Sequence, residues 1–92
     1  MRIEYMYDKN LLEIKEVANG NDMEFLITLF ETELKKKLVK VRQYFDENKV
    51  LTDIHFYIHS NNNFQVIVRN DFYNEFILQL FRQQLLQEIK WI

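Results

Sequence analysis

The sequence predicts an α+β domain in which a four-stranded antiparallel sheet carries two helices on one face, in the order β-β-α-β-β-α. Three observations lead there. Four segments, 2–7, 11–16, 53–59 and 64–69, alternate apolar and polar residues with the period of a half-buried strand. Two longer segments repeat apolar residues every three or four positions, as a helix with one buried stripe does. These two helical segments also open on nearly the same eleven residues, Glu24–Leu34 and Glu75–Leu85. Glu24/Glu75, Phe25/Phe76, Leu29/Leu80, Phe30/Phe81 and Leu34/Leu85 are identical at a constant spacing of 51.

In the first strand, Ile3, Tyr5 and Tyr7 share a face opposite Glu4 and Met6. Asp8-Lys9-Asn10 offers a turn, after which Leu12, Ile14 and Glu16 alternate with Leu11, Glu13 and Lys15. A two-residue turn at Lys9-Asn10 pairs Tyr7 with Leu12, Tyr5 with Ile14 and Glu4 with Lys15, so that apolar meets apolar and acid meets base. Asn19-Gly20-Asn21-Asp22 is the strongest break in the chain. Its glycine can take a positive φ, and Asn21 or Asp22 can cap a helix.

The first helix is expected from there to about Asn48, with Met23, Ile27, Phe30, Leu34, Leu38, Val41 and Phe45 on its stripe. Glu31–Lys35 and Glu33–Lys37 supply i,i+4 ion pairs in the favourable orientation. Alternation returns with Ile54, Phe56 and Ile58 on one face and Asp53, His55, Tyr57 and His59 on the other. A turn over Ser60–Asn63 sets Ile58 against Phe64, Phe56 against Val66, Ile54 against Val68 and Asp53 against Arg69. Asn70-Asp71 then caps a second helix reaching about Lys90, with Ile77, Phe81, Leu85 and Ile89 inside. Ile3/Ile54 and Tyr5/Phe56 share the spacing of 51, which suggests an internal ββα pseudo-repeat.

Ninety-two residues make a single domain, 1–92, whose core is small. Yet 48% of the residues are hydrophobic, with eight Phe, five Tyr and one Trp, so either the core is tight or part of this apolar surface is meant for another chain. The absence of cysteine excludes disulfides and thiolate metal sites, and favours a reducing, cytoplasmic setting. No stretch has the length and apolarity of a membrane span. A net charge of −2 gives no general attraction to nucleic acid or anionic lipid. The abundance of Asn, Lys, Ile, Phe and Tyr fits an AT-rich coding sequence of the kind found in low-GC bacteria and their phages.

The surplus of apolar surface points to a partner. A first helix of about 27 residues spans roughly 40 Å, against about 23 Å for a seven-residue strand. Its second half therefore overhangs the sheet with Leu38, Val41, Tyr44 and Phe45 uncovered, and Trp91 is apolar near the C-terminal end. The function expected is a small non-catalytic protein–protein interaction module, a regulator, inhibitor or adaptor, forming a homodimer or docking on another protein. No cofactor is expected. The basic run Lys35, Lys36, Lys37, Lys40 and Arg42 offers phosphate contacts to nucleic acid, but Glu31, Glu33, Asp46 and Glu47 interrupt it and argue for a solvated helix face. The polar strand face with Asp53, His55, Tyr57, His59 and Arg69 could support acid–base chemistry. His55 and His59 are about 13 Å apart along a strand, too far to share a metal, so a solvated face is the simpler reading.

Overall fold

The computed structural model describes residues 2–47, 54–60 and 62–92. Strands β1 (Ile3–Met6), β2 (Leu12–Asn19) and β3 (Asp22–Leu29) precede helix α1 (Leu34–Glu47). Strands β4 (Ile54–Ser60) and β5 (Asn63–Arg69) follow, then a 3₁₀ turn (Asn70–Phe72), helix α2 (Tyr73–Arg82) and strand β6 (Glu88–Trp91). The architecture is α+β with two helices, as the sequence predicts, but the strands form two antiparallel sheets. One has four strands in the order β2-β3-β5-β4, and the other pairs β1 with β6.

The expected first helix is half strand. Gly20 has φ +61° and, with Asn21, closes a two-residue β-hairpin between Asn19 and Asp22. A positive φ at the first of two loop residues is what a type II′ hairpin turn requires. Among the described residues, no atom beyond its immediate chain neighbours lies within 4 Å of where a Cβ on Gly20 would sit, so the glycine answers a backbone demand and not a packing one. The chain then alternates, burying Phe25, Ile27 and Leu29. The segment fits a period of two through Phe25, Ile27 and Leu29 and a helical stripe through Met23, Ile27 and Phe30, and the hairpin decides between them by laying β3 against β2 in the register Leu12↔Leu29, Ile14↔Ile27. Helix α1 starts only at Leu34, so Glu31 and Glu33 precede it and the i,i+4 pairs expected with Lys35 and Lys37 have no helix to form on.

The expected β1–β2 hairpin is also replaced. The turn exists, with Asp8 accepting from the amides of Asn10, Leu11 and Leu12, but β1 leaves it for β6 in the register Ile3↔Trp91, Tyr5↔Ile89. That pairing needs α2 to stop early. Gln84 takes φ 64°, its amide bonds the Phe81 carbonyl at 2.9 Å, and the Leu85 amide bonds the Leu80 carbonyl at 3.0 Å. These two bonds make a Schellman motif, here with glutamine where glycine is usual. Its accompanying apolar contact is supplied by buried Leu80 and Leu85. Of the expected α2 stripe, Ile77 and Leu85 are buried and Ile89 is partly buried in β6, while Phe81 faces outward and Phe76 and Leu80 take the inner places.

The β4–β5 hairpin has the predicted register: Ile54↔Val68, Phe56↔Val66 and Ile58↔Phe64, with a bulge between Ile58 and Ser60. Asp53, expected opposite Arg69, lies outside the described residues, and Asp22 of β3 pairs with Arg69 from the other side. Both helices cover the sheet face that carries Leu12, Ile14, Phe25, Ile27, Leu29, Phe64, Val66 and Val68. The ring of Phe76 sits 4.7 Å from Phe25 and 6.2 Å from both Phe45 and Phe56. Between the helices, Glu75 Oε1 accepts from Tyr44 Oη at 2.9 Å and from buried Gln79 Nε2 at 3.4 Å.

Candidate functional site

The strand alternation that buries one face of the four-stranded sheet leaves the other open. Across it run two cross-strand rows, Val17–Glu24–Ile67–His55 and Lys15–Leu26–Gln65–Tyr57. Val17, Leu26 and Tyr57 are exposed there. His59 lies beyond, with Nε2 2.6 Å from Gln65 Oε1. His55 shares a shallow depression of ≈ 290 Å³ with Asn21, Asp22, Ile67 and Arg69. Of the predicted polar face, His55, Tyr57 and Arg69 therefore do stand on one surface, and Asp53 lies outside the described residues. Among the described residues no three His, Asp or Glu side chains are grouped to hold a metal ion.

The two edges of this sheet differ. The Leu29 amide bonds the Asn62 carbonyl at 2.8 Å, which fixes the phase of every ladder in the sheet. Even-numbered residues of β5 bond β3 and odd-numbered ones bond β4, so Tyr57 and His55 bond inward to Gln65 and Ile67. Ile54, Phe56 and Ile58 accordingly turn their amides and carbonyls outward. No described residue bonds them. By the same phase Ile14 of β2 points outward, and there Tyr7 Oη both accepts from the Ile14 amide at 3.1 Å and donates to its carbonyl at 3.2 Å. The tyrosine hydroxyl takes the place of a neighbouring strand. The β2 edge also carries Glu13, Lys15 and Glu16, whereas Ile54–Ser60 holds no Lys, Arg, Asp, Glu or Pro. Exposed strand edges are ordinarily blunted by such residues. On β4, Tyr57 is 48% and Ile58 53% exposed.

A third feature has no counterpart in the sequence reading. The period of β2 brings Glu16 onto the same face as Leu12 and Ile14. There its Oε2 accepts from Tyr5 Oη of β1 and, at 3.0 Å, from Tyr73 Oη of α2. The three line a cleft of ≈ 850 Å³ with Arg2, Glu4, Met23, Asp71 and neighbours. Burial and then the hydrogen bond to Glu16 push both phenols well above the ordinary tyrosine range. Both hydroxyls stay protonated and keep donating. The cluster binds β1, β2 and α2 to one carboxylate, and it depends on the distant β1–β6 pairing, which no local pattern in the sequence marks.

The expected α1 interface is placed differently. Leu38, Val41 and Phe45 are buried in the chain's own core, Tyr44 is half-buried against α2, and Trp91 in β6 is 50% exposed. A helix of 14 residues does not overhang the sheet, so the premise of an uncovered second half falls. Lys35, Lys36 and Lys40 line a shallow groove with Thr32, Val39 and Gln43 on the outer side of α1, and Arg42 pairs with Asp46 at 3.7 Å. Among the described residues no helix is long and apolar enough to cross a membrane. No family model matches the sequence, and comparisons with characterised proteins and with solved structures give no match.

Proposed function

We propose that this chain is a non-catalytic protein–protein interaction module that docks through the edge of β4 and the open sheet face beside it. The observation that carries the reading is the contrast between the two edges. β2 is capped at Ile14 by a tyrosine hydroxyl and guarded by charge, while β4 presents the outward backbone groups of Ile54, Phe56 and Ile58 on an uncharged strand. Such an edge is a template for an added strand, with main-chain bonds giving affinity and alternate side chains giving selectivity. Exposed Tyr57 and Leu26, with Ile67 between β3 and β4, extend the contact onto the open face. The cysteine-free composition suits work in the cytoplasm.

A peptide-display selection on the immobilised protein tests this reading. Extended peptides of alternating apolar pattern are expected to be enriched, and to slow exchange of the Ile54, Phe56 and Ile58 amides. Their binding is expected to disappear in Ile58→Lys while the fold remains. Enrichment of peptides that protect other segments, or of none, would reject it.

The groove of Lys35, Lys36 and Lys40 supports a second reading, as a nucleic-acid-associated regulator. Among the described residues no carboxylate lies within ion-pair distance of Lys35, Lys36, Lys37 or Lys40. Phosphate contacts made by these side chains would weaken steeply with added salt. Absent or salt-insensitive binding to DNA and RNA at low ionic strength would reject it.

A further inference from the structure

We infer that the strand completing the β4 edge is β4 of a second copy of this chain, antiparallel and related by a two-fold axis at Phe56; the inference rests on the reading of that edge as a docking surface.

A two-fold edge pair sets residue i of one strand against residue j of the other and j against i, so the strand must be complementary to itself about the axis. Ile54-His55-Phe56-Tyr57-Ile58 meets this without charge, holding no Lys, Arg, Asp or Glu and reading nearly as a palindrome about Phe56. About Phe56, Ile54 faces Ile58 of the second copy, Phe56 faces its equivalent, and His55 faces Tyr57. Apolar meets apolar on the helix-covered side, and aromatic meets aromatic on the open side.

The hydrogen-bond phase agrees with this register. The outward-pointing residues are Ile54, Phe56 and Ile58, the three that face one another across such an axis. Each of these pairs can exchange both its N–H···O=C bonds. A register centred on Tyr57 would set Phe56 against Ile58 but would carry the pairing through the bulge between Ile58 and Ser60, where the strand loses regularity. The Phe56 register ends at Ile58, where the regular ladder with β5 also ends. It also covers Ile58, the most exposed apolar side chain of the strand.

Geometry supplies the test. In this register His55 and the second copy's Tyr57 form a pair without backbone bonds, the kind whose side chains lie closest, whereas two Tyr57 residues are diagonal neighbours about 7–8 Å apart. The chain has no cysteine, so introduced thiols report alone. His55→Cys and Tyr57→Cys are exposed positions and are prepared separately, checked for native circular dichroism, and oxidised in a glutathione redox buffer singly and as an equimolar mixture. The expected result is a covalent dimer that forms at least tenfold faster in the mixture than in either variant alone, and that Ile58→Lys placed in both chains abolishes. A Tyr57→Cys homodimer forming as fast as the mixture would overturn the register. No preferential cross-link at chain concentrations up to about 1 mM, the weak end of specific association, would overturn pairing with a second copy. Peptide capture at the same edge would in that case still support the docking surface.

Discussion

Phe25 and Phe76 stand at equivalent places in the two near-identical stretches of this sequence, and in the fold they meet, ring centroids 4.7 Å apart, one from a strand and the other from a helix. Phe25-Leu-Ile-Thr-Leu29 buries alternate residues, while Phe76-Ile-Leu-Gln-Leu80 buries Phe76, Ile77 and Leu80. The same pattern of aromatic and aliphatic residues satisfies either period. Tertiary placement decides which is realised, and the two stretches share no common geometry.

The Phe25–Phe76 contact is expected to be cooperative. Either Phe→Ala change should cost about 3–5 kcal/mol through the cavity it leaves. The double variant should cost less than the sum by about 0.5–1.5 kcal/mol, the energy of the ring pair. Urea unfolding of the four proteins gives the coupling directly, with Phe→Leu as the milder series.

The two positive-φ residues should respond oppositely to exchange. Gly20→Ala meets no steric neighbour but forces a Cβ into the left-handed region, and should destabilise by about 1–2 kcal/mol. Gln84→Gly relieves that strain at the Schellman position and should stabilise by about 1 kcal/mol. Shifts of opposite sign in the urea midpoint, at constant slope, are the expected outcome.

Tyr7→Phe removes the hydroxyl that serves both backbone groups of Ile14. Those groups lie at a half-buried edge, so the cost should be about 1–2 kcal/mol. Exchange of the Ile14 amide should quicken well beyond that of its neighbours in β2.

Alkaline pH should weaken the fold through Tyr5 and Tyr73. Both are raised in the folded chain, whereas an unfolded tyrosine ionises near pH 10. Above that pH the unfolded state has released protons that the folded state still holds, so stability falls as pH rises. Stability from this source is fully present below pH 10. Unfolding midpoints measured from pH 8 to 12 should drop above pH 10, and Tyr5→Phe with Tyr73→Phe should flatten the drop. An unchanged alkaline limb in that double variant would show that other groups cause it.

The sequence was most legible where structure is local. The β4–β5 register follows residue by residue from Ile54, Phe56 and Ile58 alternating toward Phe64, Val66 and Val68 across a polar turn. The second half of the predicted first helix is present, with Leu34, Leu38, Val41 and Phe45 buried as its stripe. Legibility failed where the deciding partner is remote. Residues 23–29 fit two periods, and only the hairpin at Gly20 selects one. Local alternation sets Tyr5 against Ile14 and Glu4 against Lys15, but their partners Ile89 and Lys90 lie far along the chain. Gln84 carries no sequence mark of a helix stop, because glutamine is an ordinary helix former. The β4 edge was readable as an uncharged strand, but its outward bonding phase needed the ladder.

Backbone amide exchange of the unmodified protein, followed by NMR from about 10 µM to about 1 mM, tests pairing at the β4 edge most directly. The amides of Ile54, Phe56 and Ile58 should become more protected as concentration rises, while the outward amides of Glu16 and Ala18 on β2 stay unchanged. Exchange at Ile54, Phe56 and Ile58 that is fast and independent of concentration would contradict it.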